Sequence, residues 1–138
     1  MDNKIIKLKK NNKNYIKGVL TIWEEAPNNE NYVMLELKFE NNCYKILQEN
    51  FFLALIDLRK ILEKSNIQIC CNGAAKNVYP SNMQMSMGDC LYAYKIYLKK
   101  TAQKKDIVNI FDCDNTLEFV SINVQNNFYK KWINSVLE

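Results

Sequence analysis

The sequence predicts an α+β protein: an antiparallel sheet of about five or six strands with two main helices packed on it. Three observations lead there. The first third of the chain alternates apolar and polar residues with a period of two, broken by asparagine-rich turns. Two later stretches, one near the middle and one at the C-terminal end, carry apolar residues at helical spacing. Finally, 138 residues suit one domain that can bury a core without metals or disulfides, and no linker or repeat interrupts residues 1–138. A single domain is therefore expected.

Residues 15–23 are β-branched and aromatic and read as a strand. Pro27, Asn28 and Asn29 mark a turn. Residues 32–40 then alternate, with Val33, Leu35, Leu37 and Phe39 on one face and Glu36 and Lys38 on the other. A turn at Asn41 and Asn42 leads into a third strand over 43–48, completing a meander. Asn50 is placed to cap a helix over 51–64, with Phe52, Leu55, Leu58 and Leu62 inward and Arg59, Lys60, Glu63 and Lys64 in water. A short strand is expected at 67–71. Residues 72–87 read as the longest irregular segment, of the kind compact domains keep for a purpose. A strand over 90–98 should place Tyr92, Tyr94 and Ile96 on one face. Residues 105–111 fit a short helix or an edge strand, and 117–120 a brief strand. Ser121 should cap a last helix to about Leu137, with Val124, Phe128, Trp132 and Val136 buried.

Composition excludes several functions. Histidine is absent, which removes the commonest general base and the commonest zinc ligand. The net charge is +4, but Arg59 is the only arginine, and arginine is what nucleic-acid readers use for bidentate contacts. The lysines are scattered, apart from Lys4, Lys7, Lys9, Lys10 and Lys13, which read as a solvated basic end. Nucleic acid is thus a disfavoured partner. The five cysteines, Cys43, Cys70, Cys71, Cys90 and Cys113, have neither metal-knuckle nor disulfide-framework spacing. If Cys70 and Cys71 lie on a strand, one should be core and its neighbour half-exposed. Neither a signal-peptide core nor a run of about 20 apolar residues occurs, so a reducing cytoplasm and no membrane association are expected.

Residues 107–117 read IVNIFDCDNTL, an apolar strand followed by Asp-x-Asp-x-Thr. The pattern resembles the first motif of the haloacid-dehalogenase-like phosphatases. The resemblance would make Asp112 the nucleophile, Asp114 the acid/base and Thr116 a phosphate contact, with magnesium on both carboxylates. That family follows its motif with a lysine and a further acidic pair in a long doubly wound domain. Here only 24 residues follow Asp114, they lack that arrangement, and a meander precedes it. A turn after an apolar segment is the expectation, with no metal and no cofactor.

Residues 72–88, NGAAKNVYPSNMQMSMG, combine Tyr79 and Pro80 with Met83, Met85 and Met87 at alternate positions. Methionine adapts to varied surfaces and is frequent where proteins bind, whereas an enzyme would be expected to place charged groups here. The succession Asn72-Gly73-Ala74, Tyr79-Pro80-Ser81, Met83, Met87-Gly88, Ala93-Tyr94, Ile110-Phe111-Asp112, Phe128-Tyr129 and Trp132 resembles a group of small, functionally unassigned bacterial proteins, over about the last half of the chain. Such stand-alone α+β proteins are similar in size and style to the immunity proteins encoded beside bacterial toxins, including those of contact-dependent inhibition systems. That similarity implies a non-catalytic module whose partner is a cognate toxin protein. The contact is expected at Asn77, Tyr79, Met83 and Met85, or at an acidic edge of Glu24, Glu25, Asp112 and Asp114. A small nucleic-acid-binding or adaptor protein is the alternative, and an Asp112/Asp114 phosphatase stands behind both.

Overall fold

The basic N-terminal stretch is a strand. In the computed structural model, which describes residues 1–137, β1 (Asp2–Lys10) lies between two neighbours in a five-stranded antiparallel sheet. The others are β2 (Asn14–Trp23), β3 (Val33–Phe39), β4 (Asn42–Gln48) and β5 (Ile67–Cys70), in the order β4-β3-β2-β1-β5. Ile6 and Leu8 alternate with Lys7 and Lys9, so one face of β1 is core and the other wet. The solvated end expected there is therefore corrected: two buried aliphatics and a partner on each side outweigh the lysines, which merely occupy the outward positions.

The fold is α+β and its strands form two sheets. By its internal contacts the chain divides into two units, Met1–Cys70 and the chain from Cys71 onward. In the first unit the inward face of the sheet presents Leu8, Leu20, Leu35, Leu37 and Ile69, all essentially inaccessible. Helix α1 (Phe51–Lys64) packs against β3, β4 and β5 with Phe52, Leu55, Leu58 and Leu62 buried. Burying each such side chain stabilises the fold by about 1.5–3 kcal/mol. Asn50 caps the helix as expected, its side-chain oxygen accepting from the Leu53 amide at 2.9 Å. Arg59 departs from expectation and is buried. It stands four residues after Leu55 and three before Leu62, on the apolar arc, where its aliphatic stem can pack. Gly18 allows β2 and β3 to approach closely, since a Cβ there would lie 3.1 Å from the Lys38 carbonyl oxygen and from Leu37 Cδ1.

The second unit holds a three-stranded antiparallel sheet of β6 (Val78–Tyr79), β7 (Tyr92–Lys95) and β8 (Ile107–Asn109), in that order. With it are the short helix α2 (Asn82–Met87) and the long C-terminal helix α3 (Ile122–Leu137). The segment expected to be irregular is ordered throughout. Asn72–Ala74 form a 3₁₀ turn, and Ser81 and Gln84 form a reciprocal capping box that starts α2. Cys70 and Cys71 are both buried, because the ladder ends at Cys70 and the chain enters this turn. On β7 it is Ala93 that is buried, while Tyr92 is exposed. Residues 117–120 contribute a single bridge, Ala75 to Phe119.

The inward side of α3 also differs from expectation. Val124 is exposed, and Gln125 is the buried residue of the helix. Its amide nitrogen lies 2.9 Å from the carbonyl oxygen of Gly73, 3.0 Å from Ala75 and 2.8 Å from Val78. Two N–H bonds serve three acceptors, so one is shared. An apolar-periodicity argument passes over a glutamine, but a buried backbone without a ladder needs a donor.

Left-handed backbone falls on Asn11, Asn12, Asn28 and Asn66 and also on Glu40, Cys90 and Lys99, and among the described residues no glycine takes it. Asparagine tolerates this region better than most side chains.

Replacing Gln125 by leucine preserves bulk and removes the donor. Urea unfolding is expected to show a loss of about 1–3 kcal/mol, the range for a buried polar group stripped of its partner.

Candidate functional site

The Asp-x-Asp segment is tied into the second unit by Asn72. The buried Asn72 side chain donates to the Asn109 carbonyl at 3.0 Å and accepts from the Asp114 amide at 2.8 Å. Its backbone amide donates to the Asp112 carbonyl at 2.8 Å, and that of Gly73 to Ile110 at 2.8 Å. Asp114 in turn accepts from Thr116 twice, from the hydroxyl at 2.6 Å and from the amide at 2.9 Å. These bonds, the hydroxyl first, hold the Asp114 carboxyl below its usual range, with Lys95 adding a smaller pull. Asp112 thus closes one turn, its amide donating to the Asn109 carbonyl at 3.3 Å, and Asp114 opens the next, closed by its bonds from Thr116 and Leu117. Among the described residues no group of three or more histidine, cysteine or carboxylate side chains is gathered to hold a metal ion.

Residues 79–82 border a pocket of about 260 Å³ in the same unit. β6 supplies Tyr79, β7 supplies Tyr94, and α3 supplies Tyr129, Trp132 and Ile133, with Pro80, Ser81 and Asn82 at the start of α2. The rings are arranged as a ladder. Tyr79 lies on Tyr129 with centroids 3.7 Å apart and planes 12° from parallel, and Tyr129 is 6.0 Å from Trp132 at 23°. Trp132 is held by its indole N–H, which donates to the Lys100 carbonyl at 2.9 Å. Burial, and then the neighbouring Tyr129, push the Tyr79 hydroxyl above its ordinary pKa, so it stays a neutral hydrogen-bonding group. None of the described residues that line this pocket is charged. Its chemistry is that of a receptor for an apolar or aromatic group, with tyrosine hydroxyls to orient it.

The residues singled out from sequence fall into three groups. Tyr79 lines the pocket, and Asn77 supports it by exchanging hydrogen bonds with Ile96, 2.8 Å to its carbonyl and 3.3 Å from its side chain. Met83 on α2 is 70% exposed, whereas Met85 is half-buried with its sulfur 3.5 Å from Cys90 Sγ. Alternation in sequence becomes two faces once the segment is helical. Glu24 and Glu25 are exposed after β2 in the first unit, and Asp112 and Asp114 belong to the second. Tyr94 and Tyr129 were not foreseen as lining residues. The i, i+3 spacing of Tyr129 and Trp132 on a helix was the available signal. No protein-family model matches the chain, and no curated protein does.

Replacing Thr116 by valine removes the hydroxyl donor and keeps the shape. NMR titration is expected to show the Asp114 carboxyl returning toward an ordinary aspartate value. Because the folded pKa is the lower one, Asp114 adds stability above the unfolded value, and this is lost as pH falls through the folded one. The variant should therefore lose less stability than the parent on acidification.

Proposed function

We propose that this protein is a non-catalytic binding module, an immunity protein that neutralises a cognate bacterial toxin by a tight complex in the cytoplasm. The observation that supports this reading best is the uncharged, aromatic-lined pocket beside α2, with Met83 exposed on that helix. Interfaces draw their energy from a few apolar or aromatic anchors seated in such pockets, and tyrosine, tryptophan and methionine are enriched there. The toxin would insert an apolar or aromatic side chain between Tyr79, Tyr94 and Trp132, and α2 would cover the adjoining surface. Inhibition of this kind needs shape and complementarity and no cofactor. Exposed thiols at Cys43 and Cys113 suit a reducing compartment. No described helix is long and apolar enough to cross a membrane.

The test is co-expression with a toxin encoded beside this chain, scored by growth and by a one-to-one complex on gel filtration. Met83→Ala should weaken the complex by about 1–2 kcal/mol if Met83 is an anchor, with the melting temperature unchanged. Tyr79→Ala should lower both, since it also removes the stack on Tyr129. Neutralising Glu24, Glu25, Asp112 and Asp114 should leave the complex intact if the pocket is the anchor, and slow its association if the acidic edge is. Magnesium-dependent hydrolysis of phosphate esters, abolished in Asp112→Asn, would sink the proposal.

A further inference from the structure

The outward face of the five-stranded sheet lies on other residues in the first unit, and it goes beyond the toxin-binding reading. Strand register places Lys7 directly opposite Lys17, and Lys9 opposite Tyr15. Ile5 pairs with Val19 one step along, and both are exposed. The amines of Lys7 and Lys9 sit 5.0 and 5.4 Å from the Tyr15 ring centre, and the ring keeps 58% of its surface in solvent. Among the described residues the only carboxylate on this face is Glu36, which Lys38 and Lys45 approach at 3.5 and 3.6 Å. The β1–β2 half therefore carries three lysines with no acid among them. Like charges directly opposite on a sheet are destabilising, and on this half of the face Ile5, Lys7, Tyr15, Lys17 and Val19 are all exposed. The pairing of β1 with β2 adds Lys17 to Lys7 and Lys9 of the basic N-terminal stretch.

We infer that this face binds single-stranded nucleic acid. The charges call for an anion that extends along the strands, and alternate residues on a strand stand about 6.6 Å apart. Lys7 and Lys9, one step apart along β1, would take successive phosphates, and Lys17, across the ladder from Lys7, a third, each as a point charge. Tyr15, beside them and exposed, offers a surface for a base to stack on, and Ile5 and Val19 extend it. Backbone charge with aromatic stacking is how single strands are bound without sequence preference, and lysine serves this where base reading would need arginine.

The experiment measures anisotropy of a labelled oligothymidylate of about twenty nucleotides, from low to physiological salt. Three phosphate contacts predict a slope of about −2 for log affinity against log salt, from roughly −0.7 per contact on single strands. Substituting Lys7, Lys9 and Lys17 by glutamine should weaken binding at least tenfold and flatten the slope. It should not lower the melting temperature, since it relieves the Lys7–Lys17 opposition. Tyr15→Ser should cost about tenfold and Tyr15→Phe should restore it. Glutamine at Lys60, Lys64 and Lys104, an equal loss of charge elsewhere, should change little. The inference is overturned if the oligonucleotide does not bind at low salt, if both triple variants lose equally, or if Tyr15→Ser binds normally. It is also overturned if poly-L-glutamate binds as tightly, which would make the occupant an acidic protein. None of these outcomes involves the pocket, so the toxin-binding reading stands or falls separately.

Discussion

The second unit depends on satisfying a buried backbone that has no sheet to satisfy it. Residues 71–75 and Val78 are buried, yet only Val78 belongs to a strand. Each peptide there would forfeit its bonds to water without replacement, at a cost comparable to a lost hydrogen bond. Backbone partners take the amides of residues 72–75 and the carbonyls of Cys71, Asn72 and Ala74, and side chains complete the set. Gln125 reaches from α3 to the carbonyls of Gly73, Ala75 and Val78, and Asn72 reaches to Asn109 and Asp114. The same bonds join α3 and the Asp-x-Asp turn to the start of β6. The position of Tyr79, and hence the pocket, follows from them.

This constraint explains how the chemistry-like motif arises. A carboxylate that accepts from a threonine two residues later closes a turn, and the aspartate two residues before it ends another. Sequence spacing cannot separate this from a catalytic pair, because both uses favour short polar side chains after an apolar strand. In this chain the Thr116 hydroxyl is 2.6 Å from Asp114 and engaged with it.

Much of the fold was legible where burial follows a simple period. β3 alternates without exception, and Asn50 stands before an apolar stripe, so both were read within a residue or two. β1 was hidden because lysine occupies every outward position but Ile5 along its middle, and the charge outweighed the Ile6–Leu8 alternation in the reading. α3 was located but rotated, because its inward centre is the polar Gln125. The pocket was half legible. Tyr79 and the methionines lie in one segment, but Tyr94 and Tyr129 arrive from elements 15 and 50 residues further on, as their numbers show. Only antiparallel pairing of β6 with β7, and the ring stack on α3, unite them.

The asparagines at left-handed positions carry a consequence for the denatured chain. Asn11 and Asn66 also bond to each other, amide to carbonyl at 2.9 Å and side chain to side chain at 3.3 Å. A glycine would adopt the same angles with no strain, but it would roam more widely when unfolded. With asparagine at the reversals, the chain accepts a little local strain and begins from a narrower ensemble. Part of its stability therefore originates outside the native contacts, in how few shapes the open chain can explore before the strands meet.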